Sequence, residues 1–479
     1  MTSPADAVAA ARSAQARWAA VALPERLARL KRLRHRVAAQ STGLVAALAS
    51  VPGRDPALSL TAEVAPLADA IRFLEREAPA LLRPRRLGAR GRPVWLFGHT
   101  AEVRREPLGV VLVIGPSNYP LLLPGVQALQ ALAAGNAAVV KPGLNGHPAM
   151  LALARLAAEA GIDPALLPVL DETPESARAA IAAGVDKVVL TGSVRSGMAV
   201  LRELADRLVP ATLELSGSDA TFVLPGADLV LAARCLAWGL AFNTGATCIA
   251  PRRVFAPRES MRELEARLRP LAAALKPQPV AKAPAESALE LIQSALQAGA
   301  RPLVPWSPPA ADAPFPPLAL TGADADMALL KADVFAPVLS LVAVENADAA
   351  LAANARCPYA LGASVFGPIA AARDFALRVR AGVVTINDLI VPSADPRLPF
   401  GGWGQSGFGR TRGAEGLLEM TAAKVVTVRR GGFRPHLDGA ADAAAIARGY
   451  LAAAHGVGLR ERLGGLVATL MAMAKKKKV

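Results

Sequence analysis

Gly109-Val-Val-Leu-Val-Ile-Gly-Pro116, then Gly125-Val-Gln-Ala-Leu-Gln-Ala-Leu-Ala-Ala134, then Ala137-Ala-Val-Val140 before Lys141-Pro142, are the runs on which the fold turns. The first is apolar, largely β-branched and stopped by Gly115-Pro116, which reads as a buried strand entering a loop. The second is Ala/Leu-rich and stopped by Gly135-Asn136, a helix, and the third is another short strand. Strand, helix and strand within about 30 residues make a βαβ unit. Positions 107–140 carry no charged residue and exceed the roughly 20 residues that span a bilayer. Pro116, Pro120, Pro124 and Gly125 interrupt them and argue against a membrane helix.

The alternation continues outward. Helices are expected at 147–160, 177–183 and 196–208 and strands at 187–190 and 211–215, an α/β class with a doubly wound, mostly parallel sheet. A second alternating region follows, with a helix at 229–242, a strand at 253–255 and a helix at 260–274. The proline-rich stretches 276–284 and 302–317 read as loops. No repeat recurs at a fixed period, and the segment after Arg430 becomes an Ala/Gly-rich helical appendage.

With 479 residues, 53% hydrophobic and 19% charged, the chain is neither disordered nor collagenous. Its length suits two to four domains at roughly 100–200 residues each. Cys235, Cys248 and Cys357 are far apart, which excludes a disulfide framework and a thiolate zinc site, so no metal and a reducing, cytoplasmic setting are expected. The formal charge is +15, but aromatics are 4% of the chain and no recognition module interleaves them with the basic residues, so nucleic acid is not an expected partner. The first residues acquire arginine without a continuous apolar core and do not read as a secretory signal.

Cys248, in Asn243-Thr-Gly-Ala-Thr-Cys248, lies between a helix and a strand, where a thiol can be presented at a domain seam; a lone cysteine is more often a small buried hydrophobe. Glu214 is an acid flanked by leucines on a strand, where burial would raise its pKa toward that of a general base. A strand-end carboxylate with a structural partner is at least as common.

Pro107-Leu-Gly-Val-Val111, Gly115-Pro-Ser-Asn-Tyr-Pro120, Ala134-Gly-Asn-Ala137, Val140-Lys-Pro142, Thr191-Gly-Ser193, Leu213-Glu-Leu215, Ala227-Asp-Leu229, Asn243 to Cys248, Asp333-Val-Phe-Ala-Pro337, Asn387, and Pro399-Phe-Gly-Gly402 with Ser406-Gly407 stand in a fixed order and spacing. In these residues the chain resembles the aldehyde dehydrogenase superfamily, from about Arg104 to Arg430 and weakly through the N-terminal helices. The resemblance implies oxidation of an aldehyde to a carboxylic acid with NAD or NADP. Cys248 would attack the carbonyl, and the Asn118 amide and the Cys248 backbone N–H would hold the oxyanion of the thiohemiacetal. Glu214 would deprotonate the water that hydrolyses the thioester. Lys141 would bind the adenosine ribose, Thr191, Gly192 and Ser193 the phosphates at a helix N-terminus, and Asp333 and Phe335 the nicotinamide end. A GxGxxG fingerprint is absent at the strand–helix turn, as suits this family.

Three positions depart from the family pattern. Ser216 follows Glu-Leu where Gly is usual, Ala246 replaces the usual Gln two residues before the cysteine, and Asp333 is one methylene shorter than the usual Glu. Leu144, three residues after Lys141, stands where many members carry a ribose-binding glutamate, which implies weakened discrimination between NAD and NADP. A CoA-acylating or acyl-reducing relative is disfavoured by Glu214; a catalytically silent scaffold and a basic surface-binding protein are the remaining alternatives.

By the same resemblance, residues 1–97 and 110–215 form a dinucleotide-binding domain, 216–416 an α/β catalytic domain, and 98–109 and 421–430 small oligomerisation strands, with 431–479 appended. The β-branched run Lys424-Val-Val-Thr-Val428 would pair across a homodimer, or within a larger homo-oligomer. In segment 458–479, twelve uncharged residues at 463–474 precede Lys475-Lys-Lys-Lys478. As a helix they would cover roughly 18 Å, too short for a bilayer core of about 30 Å. Such a helix suits either an anionic membrane surface, which would go with a hydrophobic aldehyde substrate, or packing on its own subunit or a partner.

Overall fold

Burial on both faces explains why the strand Val110–Ile114 is apolar throughout, all of its residues being buried. The computed structural model of the chain describes residues 3–310, 313–431 and 442–474. Val110–Ile114 pairs in parallel with Ala137–Lys141 on one side and Lys187–Gly192 on the other, and Lys187–Gly192 pairs in parallel with Ala211–Leu215. The two-residue strand Gly407–Phe408 closes this five-stranded sheet antiparallel to Leu213 and Glu214. The strand order reverses beside Val110–Ile114, so the loops after Ile114 and after Gly192 flank one crevice, the usual ligand position in such a sheet.

Several expected elements shift for local reasons. The helix expected from 125 runs Leu122–Ala134, every residue buried. Its earlier start is stabilised by the Glu63 carboxylate, which accepts the Leu121 and Leu122 N–H groups at 3.0 and 2.7 Å. It ends where expected, at Gly135 with φ 98°. The helix expected at 196–208 is Val194–Ala205, because the Ser193 side chain caps it by accepting the Ser196 N–H at 3.2 Å. The strand expected at 253–255 is Pro251–Pro257 and buries two arginines: Arg252 donates to the Ala336 carbonyl at 2.6 Å and Arg253 to that of Ser218 at 2.8 Å. Within the first proline-rich stretch the helix Lys282–Gln297 already begins, since Pro284 falls in its first turn, where a missing N–H costs nothing.

A seven-stranded sheet follows the order Val383–Ile386, Gly362–Phe366, Asp219–Val223, Pro251–Pro257, Val338–Val344, Leu318–Thr321, Arg301–Pro302. All its pairs are parallel except the last.

These sheets belong to one compact unit, residues 1–83 and 105–422. The other unit comprises 84–104 and 423–479. Its three-stranded sheet has the order Arg85–Leu87, His99–Pro107, Thr421–Arg429, and the last strand is an edge exposed along most of its length. Its helices Ala443–His455 and Leu459–Ala474 pack on each other through glycines. A Cβ at Gly449 would lie 2.5 Å from the Thr469 hydroxyl, and one at Gly465 would lie 2.3 Å from the Ala453 nitrogen. Leu451, Leu463, Leu466, Val467, Leu470 and Met471 are exposed on this pair. Lys475 to Lys478 lie outside the described residues. Among the described residues no helix is long and apolar enough to cross a membrane.

Candidate active site

Cys248 is delivered by an abrupt change of direction. The helix Leu229–Ala241 gives way to the turn Phe242–Gly245, in which Asn243, Thr244 and Gly245 take φ of 51°, 57° and 74°. Only glycine fits the last of these, since a Cβ on Gly245 would come within 2.5 Å of the Ala336 carbonyl carbon. Arg252 clamps the turn by donating to both the Gly245 and Ala336 carbonyls. Two further bonds tie the turn to the loop after Ile114. The Asn118 side-chain amide donates to the Ala246 carbonyl at 2.8 Å, and the Tyr119 and Thr247 hydroxyls are 2.8 Å apart. The Asn118 amide is thereby fixed to Ala246, two residues before Cys248 in the chain, with a second N–H not used by the Ala246 carbonyl.

Glu214, near the end of the strand Ala211–Leu215, is 2% exposed. Its Oε2 accepts the Thr411 hydroxyl at 2.7 Å, while Oε1 is buried without a partner. Burial raises the Glu214 pKa, against the pull of the Arg412 charge and the Thr411 hydrogen bond. Burial likewise pushes the Cys248 thiol up, with the carboxylates of Glu214 and Asp219 adding to the effect and Arg412 opposing it. Thr411 and Arg412 reach this place because Gly407–Phe408 pairs with Leu213 and Glu214, a distant pairing that spacing does not display. They were absent from the expected site, although the run Gly401-Gly-Trp-Gly-Gln-Ser-Gly-Phe-Gly409 signalled tight turns just upstream.

Two cavities converge on these residues. One, of about 230 Å³, is lined by Leu122, Trp238, Phe242, Ile390, Val391 and Phe400, among others. The second, of about 310 Å³, is lined by Asn118, Thr191, Gly192, Ser193, Asp333 and Phe335, among others. Cys248, Glu214 and Leu123 line both. The sequence-derived residues thus gather at one place, with Lys141 the exception. It ends the strand Ala137–Lys141 outside both cavity walls, its pKa lowered by burial against the charges of Glu172 and Asp171. Nearby, Leu144 is exposed, and the Glu172 carboxylate accepts the Asn145 and His147 N–H groups at 2.9 and 2.8 Å.

The second cavity suits a dinucleotide. The helix Val194–Ala205 begins at Ser193 on that cavity's wall, and a helix N-terminus favours an anion such as a phosphate. The Asp333 Oδ1 is a buried acceptor without a partner, as a ribose hydroxyl would require. Burial raises Asp333 to about 6, with Ser216 and Arg252 lowering it.

A buried pair missed in the sequence supports the loop that carries Asn118. Arg54 and Glu63 are both inaccessible to solvent and 3.1 Å apart. Arg54 donates to the Asn118 backbone carbonyl and lies 5.3 Å from the Tyr119 ring centre. Burial raises the Glu63 carboxyl to about 7, against Arg54 and the two N–H groups it accepts.

Residues 3–426 match the model of the aldehyde dehydrogenase family. The chain is 28% identical over 421 residues to 4,4'-diapolycopene aldehyde oxidase of a Methylomonas species, covering 84% of this chain and 77% of that protein. It superposes at a TM-score of 0.83 on an aldehyde dehydrogenase of Mycobacterium tuberculosis complexed with NAD+, at 27% identity over 91% of this chain and 92% of the other. On a variant of aldehyde dehydrogenase C from Pseudomonas syringae complexed with NAD+ and octanal, the TM-score is 0.80, at 28% identity over 88% and 89%. Agreement over so much of the length, on a parallel α/β fold with two cavities converging beside a cysteine and a glutamate, is not shared by chance: the chain belongs to the aldehyde dehydrogenase family and is an NAD- or NADP-dependent enzyme that oxidises aldehydes.

Proposed function

We propose that Cys248 is the nucleophile for a hydrophobic aldehyde, with Asn118 and the Cys248 N–H as oxyanion donors and Glu214 as the hydrolytic base. The observation that carries this reading is the meeting of an apolar cavity and a polar one at Cys248 and Glu214. The aldehyde enters from the apolar side, and its carbonyl carbon bonds to the Cys248 sulfur. NAD or NADP, when bound, supplies the hydride acceptor, held by Thr191, Gly192, Ser193, Asp333 and Phe335, with Lys141 toward the adenosine end. Glu214, raised by burial, takes the proton of the water that cleaves the thioester, which argues against a CoA-acylating relative. Ser216, Ala246 and Asp333 adjust the grip on substrate and cofactor rather than the reaction. Cys248→Ser is expected to abolish aldehyde oxidation while cofactor still quenches protein fluorescence, because an alcohol at neutral pH is a far poorer nucleophile than a thiolate. Turnover near the parent level would sink this assignment and favour a different nucleophile.

Residues 1–97 and 110–215 serve as the cofactor domain, 216–416 as the catalytic domain, and 98–109 with 421–430 as oligomerisation strands. The exposed edge Thr421–Arg429 supports a homodimer or larger assembly, since an unpaired edge is a liability in a monomer; a monomeric mass in light scattering at micromolar concentration contradicts it. For segment 458–479 two readings stand, an anionic membrane surface and packing on its own subunit or a partner; its helix Leu459–Ala474 packs on Ala443–His455, and the outward side chains favour the membrane surface for the exposed face. In water a helix pair hides its large apolar side chains, whereas here glycines fill the interface and leucines face outward, as lipid favours. Flotation with anionic vesicles that is equal for the full chain and for a chain ending at Gly456 removes the membrane reading.

A further inference from the structure

Glu214 and Arg412 line the same cavity, and each has one buried side-chain polar atom without a hydrogen-bond partner. Glu214 is 2% exposed and Arg412 is 8% exposed. The Thr411 hydroxyl occupies Glu214 Oε2 at 2.7 Å, and Oε1 has no partner. The guanidinium of Arg412 is immobilised, donating from Nη1 to the Ser393 carbonyl at 2.7 Å and lying 4.4 Å from the Phe400 ring centre, while Nε has no partner. An orphaned acceptor and an orphaned donor, carried by two charged residues that interact with each other and line one cavity together with Cys248, are a pair that a buried water can satisfy. The backbone adds an independent sign. Arg412 has φ 60° and ψ 174°, a conformation almost confined to glycine, and side-chain-bearing residues persist there mainly where a site demands it.

We propose that Arg412 Nε and Glu214 Oε1 together hold the water that hydrolyses the Cys248 thioester, so that Arg412 is a further residue of the deacylation step. This rests on the assignment of Cys248 and Glu214 above. Arg412 donates to one lone pair of the water, Glu214 accepts one of its protons, and the remaining lone pair is free to attack. The water oxygen bonds to the thioester carbonyl carbon and its proton passes to Glu214. The carbon–sulfur bond then breaks, its electron pair returns to Cys248 as thiolate, and the carboxylic acid leaves.

The test separates acylation from deacylation without any cofactor. The full chain and its Arg412→Met, Arg412→Lys and Glu214→Gln variants are mixed with p-nitrophenyl octanoate, which can acylate Cys248 and release p-nitrophenolate. The acylated protein is then desalted, and loss of the octanoyl mass is followed by intact-protein mass spectrometry. In Arg412→Met, acylation is expected to stay within about threefold of the parent and deacylation to slow at least tenfold. Arg412→Lys, which keeps a cationic donor, recovers at least threefold of that loss. Should Arg412→Met melt early, Arg412→Gln is read by the same criteria. Deacylation within twofold of the parent in Arg412→Met, an equal fall in both steps, or no recovery with lysine overturns the role of Arg412. Failure of the parent to acquire an octanoyl group on Cys248, or normal deacylation in Glu214→Gln, instead overturns the underlying assignment.

Discussion

Lengthening the aldehyde one methylene at a time probes the apolar cavity directly. That cavity measures about 230 Å³, and Leu122, Trp238, Phe242, Ile390, Val391 and Phe400 supply much of its wall. Each methylene moved from water into such surroundings contributes about 0.8 kcal/mol. If that contribution is retained in the transition state, kcat/KM rises about fourfold per methylene, and the four methylenes between butanal and octanal give roughly two orders of magnitude. The assay is initial-rate reduction of NAD across straight-chain aldehydes from acetaldehyde to decanal, with succinic semialdehyde as a four-carbon substrate carrying a terminal carboxylate. The cationic group on the wall, Arg412, is already committed to the Ser393 carbonyl and faces the charge of Glu214, so it is poorly placed to reward that carboxylate. A slope below about twofold per methylene, or a higher kcat/KM for succinic semialdehyde than for butanal, refutes the hydrophobic assignment.

Glu214→Gln retains an acceptor for the Thr411 hydroxyl and is expected to give a burst of about one reduced cofactor per subunit, then a steady rate lower by about 10²–10⁴; a folded variant without the burst assigns Glu214 elsewhere. Because burial and the neighbouring carboxylates raise the Cys248 pKa, the thiolate is scarce at neutral pH. Iodoacetamide labelling of Cys248 in cofactor-free protein should therefore accelerate about tenfold per unit from pH 7 to 9, and a plateau below pH 8 contradicts this. With Leu144 where a ribose-binding acid is absent, NADP should be used within about tenfold of NAD, on the order of the 1.4 kcal/mol that one polar contact supplies, and Leu144→Glu should restore a preference for NAD. A natural preference for NAD above about a hundredfold would show that Asn145, His147 or Glu172 makes the missing contact.

What could be read in advance was local or periodic. The runs at 109–114, 125–134 and 137–140 declare strand, helix and strand through composition and punctuation, and they recur as Val110–Ile114, Leu122–Ala134 and Ala137–Lys141. Cys248, Glu214 and Asn118 could be singled out, and they do assemble at one place, but their geometry depends on partners far away in sequence. Thr411 holds Glu214 across a pairing of 197 positions, and Glu63 starts the helix at Leu122 from 59 positions away. Neither contact leaves a periodic trace, since each is one polar side chain meeting a segment distant in the chain. Arg252 and Arg253 were concealed by the opposite effect: charged residues end a hydrophobic pattern, yet these two continue a buried strand because carbonyls accept their guanidinium protons.

The π-turn Leu60–Val64 ties two properties of the enzyme that protein engineers usually vary separately. Thr61 and Ala62 line the apolar cavity, while Glu63 grips the start of the helix Leu122–Ala134 and pairs with Arg54, which in turn holds the Asn118 carbonyl. A library randomised at positions 61 and 62 to admit bulkier substrates therefore pulls on the segment that carries Asn118. Selection for a wider substrate range will drag turnover with it, and the recovered winners should carry second changes around Arg54 or Tyr119 that restore the amide's placement.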